Sequence, residues 1–189
     1  RQVRRAAYQF RQLAGQRVIP PCVRKQVLGL SPTQGGHILF YASIGELPQG
    51  LMEFARRNPR AEVRAYFAGA SKLTDLPPNI VVPHRDGENF LQDFASCRVY
   101  VSNAGFESVA EAIALRKPVV TVPIRGQAEQ QMNAFLFAKY GIGISAQEFS
   151  CETFERAMRH ETPPADEIRA WVARGRECLE GQLLRGAGA

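Results

Sequence analysis

Val99-Tyr100-Val101-Ser102-Asn103-Ala104-Gly105-Phe106-Glu107-Ser108-Val109-Ala110-Glu111-Ala112 changes its hydrophobic rhythm halfway along. Its opening run is apolar at successive positions, as suits a parallel strand covered on both faces. From Phe106 to Leu115 the apolar residues recur at helical spacing. Small and polar residues, Ser102 to Gly105, join the two. Strand, tight loop and helix in this order make half of a βαβ unit. A glycine at the end of such a loop lets the backbone come close to a ligand. The unpaired N–H groups and positive dipole end of the next helix form an anion site there.

The same unit repeats outward in both directions. His37–Ala42 is a first short apolar strand, followed by a helix near 49–58; Val63–Phe67 is the second strand and Ile80–Val82 the third. A helix over Asn89–Cys97 leads into the quoted segment, with Phe90, Leu91 and Phe94 sharing a face. Val119–Val122 is the fifth strand, Gln127–Tyr140 a helix stopped by Gly141, and Gly143–Ser145 a short sixth strand. Two closing helices are expected near Cys151–His160 and Pro164–Leu184. This alternation predicts an α/β fold, a Rossmann-like doubly wound parallel sheet of about six strands in the order 3-2-1-4-5-6. Strands 1 and 4 are then neighbours, and the crevice at their carboxyl ends is where ligands bind in such sheets.

Residues 1–36 read differently. Arg1 to Leu13 suits a basic helix ended at Gly15, and the segments around Pro20-Pro21 and Pro32 to Gly36 read as connector. We expect residues 1–36 to be the end of a preceding domain plus a linker, and residues 37–189 to be one domain with a full core. The first residue is Arg1 rather than Met, which reads as a processed or truncated chain.

The formal charge is +6, much of it in arginines and a lysine ahead of the first strand. No aromatic platform or nucleic-acid motif accompanies it, so a solvated surface is expected, with no nucleic-acid partner; association with a membrane surface has no support beyond the charge. No apolar run approaches the ~20 residues of a membrane-spanning helix. Cys22, Cys97, Cys151 and Cys178 are scattered, without a C-x-x-C pair, so no metal site is indicated and a reducing, cytoplasmic setting is expected.

The crevice loops carry the chemistry. Ala42-Ser43-Ile44-Gly45 follows strand 1 and Ser102-Asn103-Ala104-Gly105 follows strand 4, giving small residues at both lips, where a diphosphate fits. The plainer alternative is a glycine that merely closes a turn. Glu111 lies about one and a half turns into the next helix. A carboxylate can accept hydrogen bonds from both hydroxyls of a ribose. Alternatively Glu111 is an exposed helix residue paired with a cation such as Lys117. After strand 5, Gln127, Glu129 and Gln130 offer donor and acceptor groups suited to sugar hydroxyls; otherwise they are a solvated helix start. His37 reads as structural, and His160 as a cation at a helix end, where it is favourable.

Together, Ser102-Asn103-Ala104-Gly105-Phe106-Glu107-Ser108-Val109-Ala110-Glu111-Ala112, Lys117-Pro118, Pro123 and Glu129-Gln130 with Asn133-Ala134 resemble the donor-binding signature of GT-B glycosyltransferases. The likeness is to UDP-glycosyltransferases and the peptidoglycan N-acetylglucosaminyltransferase, and it spans about residues 37–145. It implies that Ser43, Gly45, Asn103, Gly105, Phe106 and Ser108 cradle the diphosphate of a nucleotide sugar. It implies that Glu111 holds the ribose, that Gln127, Glu129 and Gln130 hold the sugar, and that Val82, Pro83 and His84 bracket the base. UDP as the nucleotide is an implication of the family alone. Two residues depart from the pattern: Glu107 stands where relatives often carry Asn, Ser or Thr, and is expected to point outward, and Arg116 replaces a usual glycine.

The resemblance implies hexosyl transfer to an unidentified acceptor, with no cofactor and no metal, by displacement with inversion. The family's general base usually comes from an N-terminal acceptor domain, which is missing from this sequence, so the chain alone is expected to be inactive. Alternatives are a natural donor-binding subunit with a separate acceptor subunit, a domain like that of UDP-sugar 2-epimerases, and a non-enzymatic nucleotide-binding module.

Overall fold

The computed structural model describes residues 20–43, 45–69, 75–83, 87–161 and 166–186. The elements run α1 (Lys25–Leu28), β1 (Ile38–Ala42), α2 (Gln49–Arg57), β2 (Val63–Phe67), β3 (Ile80–Val81), α3 (Gly87–Ser96), β4 (Val99–Ser102) and α4 (Phe106–Ala114). They continue with β5 (Val119–Thr121), α5 (Ala128–Lys139), β6 (Ile144–Ser145), α6 (Cys151–Arg159), α7 (Asp166–Ala173) and α8 (Gly175–Gly186). The six strands form one sheet in the order β3-β2-β1-β4-β5-β6, every described pairing being parallel. The order and class are those that the strand-helix alternation predicts.

Period-two alternation divides the core. Ile38, Phe40 and Ala42 of β1 face Phe54 of α2 and Phe154 of α6, joined by Val99 and Val101 of β4. Leu39 faces the other way, into a layer with Phe94 of α3, Tyr100 of β4, Val109 and Ile113 of α4, and Val172 of α7. The helices after β1 and β4 therefore leave on opposite faces, which opens the crevice between those strands.

α4 ends in a Schellman motif: the Lys117 N–H donates to the Ala112 carbonyl (2.9 Å) and the Arg116 N–H to the Ile113 carbonyl (3.0 Å). Arg116 carries the left-handed turn at φ 57°. That conformation favours glycine. It is a physical reason for a glycine to be usual at this position.

The segment expected to be connector is built into the domain. Val23 and Val27 are buried in the α4 and α7 layer. The Thr33 N–H donates to the Ala95 carbonyl (2.9 Å) and the Gly35 N–H to the Ser96 carbonyl (2.8 Å). Lys117, buried, donates its Nζ to the carbonyls of Thr33 (2.5 Å) and Cys97 (3.0 Å). Burial lowers its affinity for a proton. The single closing helix predicted over Pro164–Leu184 is instead two, interrupted at Arg174. Gly175 packs so closely on the Pro21 carbonyl that any side chain there would collide with it.

Candidate functional site at the carboxyl ends of β1 and β4

In the sheet register Tyr41 of β1 stands beside Ser102 of β4, which stands beside Thr121 of β5. The loops after these strands therefore start level with one another. Ser43 is exposed, and Gly45 turns the first loop at φ 96°, a conformation that favours glycine. Hydrogen bonds tie the other two loops together. Asn103 Nδ2 donates to the Val122 carbonyl (3.1 Å), and Asn133 Nδ2 of α5 donates to the Ala104 carbonyl (3.1 Å). Gln130 Oε1 accepts from the Ile124 N–H (3.0 Å), which fixes the loop and leaves the amide nitrogen of Gln130 as the donor end.

Gly105 is the N-cap of α4 at φ −71°, ψ 133°, and no side chain caps that end. Ser108 Oγ bonds back to the Gly105 carbonyl (3.4 Å). Phe106 is 45% exposed, and Glu107 is exposed as expected. The start of α4 thus presents backbone N–H groups without a capping oxygen, at the lip of the crevice. Asn103 Oδ1 is buried without a hydrogen-bond partner among the described residues. Gln127, N-cap of α5, and Glu129 are exposed.

Glu111 differs from the plainer expectation of an exposed residue paired with Lys117. It is 6% exposed, and its carboxylate lies against Arg24, with Nε 2.6 Å from Oε1 and Nη2 2.8 Å from Oε2. Lys117 is turned away to the carbonyls named above. The hydrogen bond to Glu111 holds the Arg24 guanidinium still more firmly charged than usual. Tyr100, next to this pair electrostatically, is fully buried, and burial drives its phenol well above the usual tyrosine value. Nothing local in the sequence singles out Arg24, which lies 87 positions from its partner.

Val82 packs against the α2 and α6 layer, on the sheet face opposite that of Glu111's helix. His84 lies outside the described residues. His160 forms the C-cap of α6. Burial, with Arg156 nearby, disfavours its charged form, against the expectation of a favourable cation.

A cleft of about 560 Å³ opens from Asn103 toward the other face, lined among others by Pro48, Arg125, Phe149, Ser150 and Glu152. Neither Glu111 nor Gly105 lines it. Asn103 is where the cleft meets the predicted set of residues. Sequence reading passed over Arg125 and the start of α6, whose nearness to Asn103 arises only from the β5 and β6 pairings.

Residues 7–160 match the family described as Glycosyl transferase family 1. The chain belongs to that family. It is 30% identical over 152 residues to an uncharacterised glycosyltransferase of Methanopyrus kandleri, covering 72% of this chain and 43% of that one. It is 27% identical over 118 residues to UDP-glucuronosyltransferase 3A1 of Bos taurus, covering 62% of this chain and 21% of that one. Among solved structures, the family 1 domain resembles the glycosyltransferase VinC in complex with dTDP (TM-score 0.58, 19% identity, 88% of this chain and 44% of that one). It is equally like the calicheamicin glycosyltransferase CalG4 (TM-score 0.58, 18% identity, 89% of this chain and 44% of that one). The fold is thus that of GT-B glycosyltransferases, and the chain spans less than half the length of these relatives. Among the described residues no helix is long and apolar enough to cross a membrane.

Proposed function

We propose that this domain binds a nucleoside-diphosphate sugar, with UDP as the nucleotide, and is the donor half of a hexosyltransferase. The observation that carries the reading is the uncapped start of α4 at the crevice between β1 and β4, with the Glu111 carboxylate about one and a half turns further along. In this reading the diphosphate lies on the N–H groups at Gly105–Ser108, with Asn103 and the loop of Ser43 and Gly45 on its other side. Glu111 receives the ribose hydroxyls. Gln127, Glu129 and Gln130 face the sugar, and the backbone around Val82 and His84 brackets the base. A cleft within the ordinary size range of ligand sites opens beside this set, meeting it at Asn103.

The chemistry follows from where charge develops. As the anomeric carbon–oxygen bond breaks, negative charge grows on the leaving diphosphate. Preorganised N–H groups aimed at that charge lower the barrier. They do so with the positive end of α4 behind them. The acceptor hydroxyl attacks from the opposite side, with inversion, and loses its proton to a base supplied from outside this domain. Residues 1–36 then lead in from the acceptor-binding half, with residues 20–35 packed along the way against the donor domain of residues 37–189, and the enzyme works in the cytoplasm.

Calorimetric titration with UDP tests the reading. The parent chain binds UDP, and Glu111→Ala weakens binding by about 1–3 kcal/mol, the cost of hydrogen bonds left unmade to a charged group. Equal affinity in the two would remove Glu111 from the site, and no binding by the parent would remove the nucleotide reading.

A further inference from the structure

Arg24 approaches Glu111 side-on, with Nε and Nη2 each engaging one carboxylate oxygen. A carboxylate has about four lone-pair directions, and a two-point guanidinium grip uses two of them. Two are left unused by Arg24. The grip is also held in place from behind. Arg24 lies between the buried Val23 and α1, whose Val27 is buried, and Gly175 is packed on the nearby Pro21 carbonyl. The arginine side chain is itself half exposed, so it forms the wall between Glu111 and solvent on that side.

We propose that Arg24 is a positioning residue for the nucleotide. It turns the Glu111 carboxylate so that its remaining lone pairs meet the ribose hydroxyls, and it cancels the negative charge that Glu111 otherwise sets near the diphosphate. This rests on the donor-site reading above. A bare glutamate one and a half turns into α4 is free to rotate among its rotamers and repels an anionic ligand. Locked by a planar fork it does neither, because the fork fixes orientation as well as charge. The sequence segment preceding the sheet therefore completes the donor site from a distance.

The test compares UDP with 2′,3′-dideoxyuridine diphosphate, by calorimetry on the whole chain, in the parent, Arg24→Met, Arg24→Lys, Glu111→Ala and the Arg24→Met/Glu111→Ala pair. The parent prefers UDP by about tenfold or more, the value of hydroxyl bonds to a carboxylate. Arg24→Met weakens UDP and brings the preference within about threefold, while thermal melting shows that the fold is kept. Arg24→Lys recovers affinity through charge but only part of the preference, since an ammonium lacks the fork. The double variant binds no worse than Glu111→Ala alone, because Arg24 acts through Glu111. If Arg24→Met does not fold, Arg24→Lys carries the comparison. An unchanged preference in the arginine variants, or tighter binding of UDP, overturns the proposal while leaving the donor site standing. A parent that does not distinguish the two ligands takes down the ribose role of Glu111, and this inference with it.

Discussion

Gly105→Ala separates what the fold requires of this residue from what a ligand requires. The backbone at Gly105 is extended (φ −71°, ψ 133°), a conformation open to any residue. An added methyl would meet only Ser108 Oγ, at an ordinary 3.6 Å. Restricting the unfolded chain stabilises by about 0.4–1 kcal/mol, and alanine at an N-cap loses roughly as much relative to glycine. The two offset, so the stability of Gly105→Ala is expected within about 0.5 kcal/mol of the parent. Binding is another matter. If a diphosphate rests on the first N–H groups of α4, the methyl stands where the phosphate oxygens approach, and affinity for UDP falls at least tenfold, or about 1.4 kcal/mol. Urea denaturation and titration calorimetry on one preparation read the two effects. Gly143→Ala serves as the opposite control: its Cβ would strike the Val119 carbonyl, costing about 1–3 kcal/mol of stability by overpacking, at a place with no proposed ligand. UDP affinity in Gly105→Ala equal to the parent's refutes the argument, because it means no phosphate comes close to that backbone.

Acid should destabilise the fold through its histidines. His37 is 4% exposed, its Nε2 lies 3.0 Å from the Asp93 carbonyl, and burial followed by the nearby Arg64 lowers its proton affinity, while Asp93 and Glu62 oppose this. The unfolded chain therefore takes up a proton at higher pH than the folded one. The contribution of His37 is intact above about pH 6.5, its unfolded value, and is lost as the pH falls through the folded value. His160 acts in the same direction. Urea midpoints measured at pH 7 and pH 5 should fall less in His37→Gln than in the parent; an equal fall would mean that His37 does not titrate in this window.

The strands were legible because each announces itself locally as a short apolar run, and their order followed from the usual arrangement of a doubly wound parallel sheet. The crevice loops were legible for the same reason: Ser43, Gly45, Asn103 and Gly105 sit directly after their strands, so naming the strands places the loops. What sequence could not display is the reach of the segment before the sheet. Arg24 meets Glu111, Thr33 meets Lys117, and Pro21 meets Gly175, all across large separations. These contacts decide points that local reading left open or missed: they rule out the plainer alternative of an exposed Glu111 paired with Lys117, and they bring the Pro21 carbonyl up to Gly175, next to the break between α7 and α8. Arg116 shows the converse. Its side chain gives no sign of a left-handed backbone, and only the position in the Schellman turn explains it.

The sewing of residues 20–35 into the domain sets where an expression boundary can be drawn. Cutting the chain just before β1 would follow the composition break, yet it would uncover the cavity left by two valines, deprive a lysine amine of one of its two carbonyls, and strand a carboxylate without its counter-charge. A minimal unit that keeps these contacts begins at Pro20 or earlier, because the strap is an internal wall of the fold and only looks like a tether.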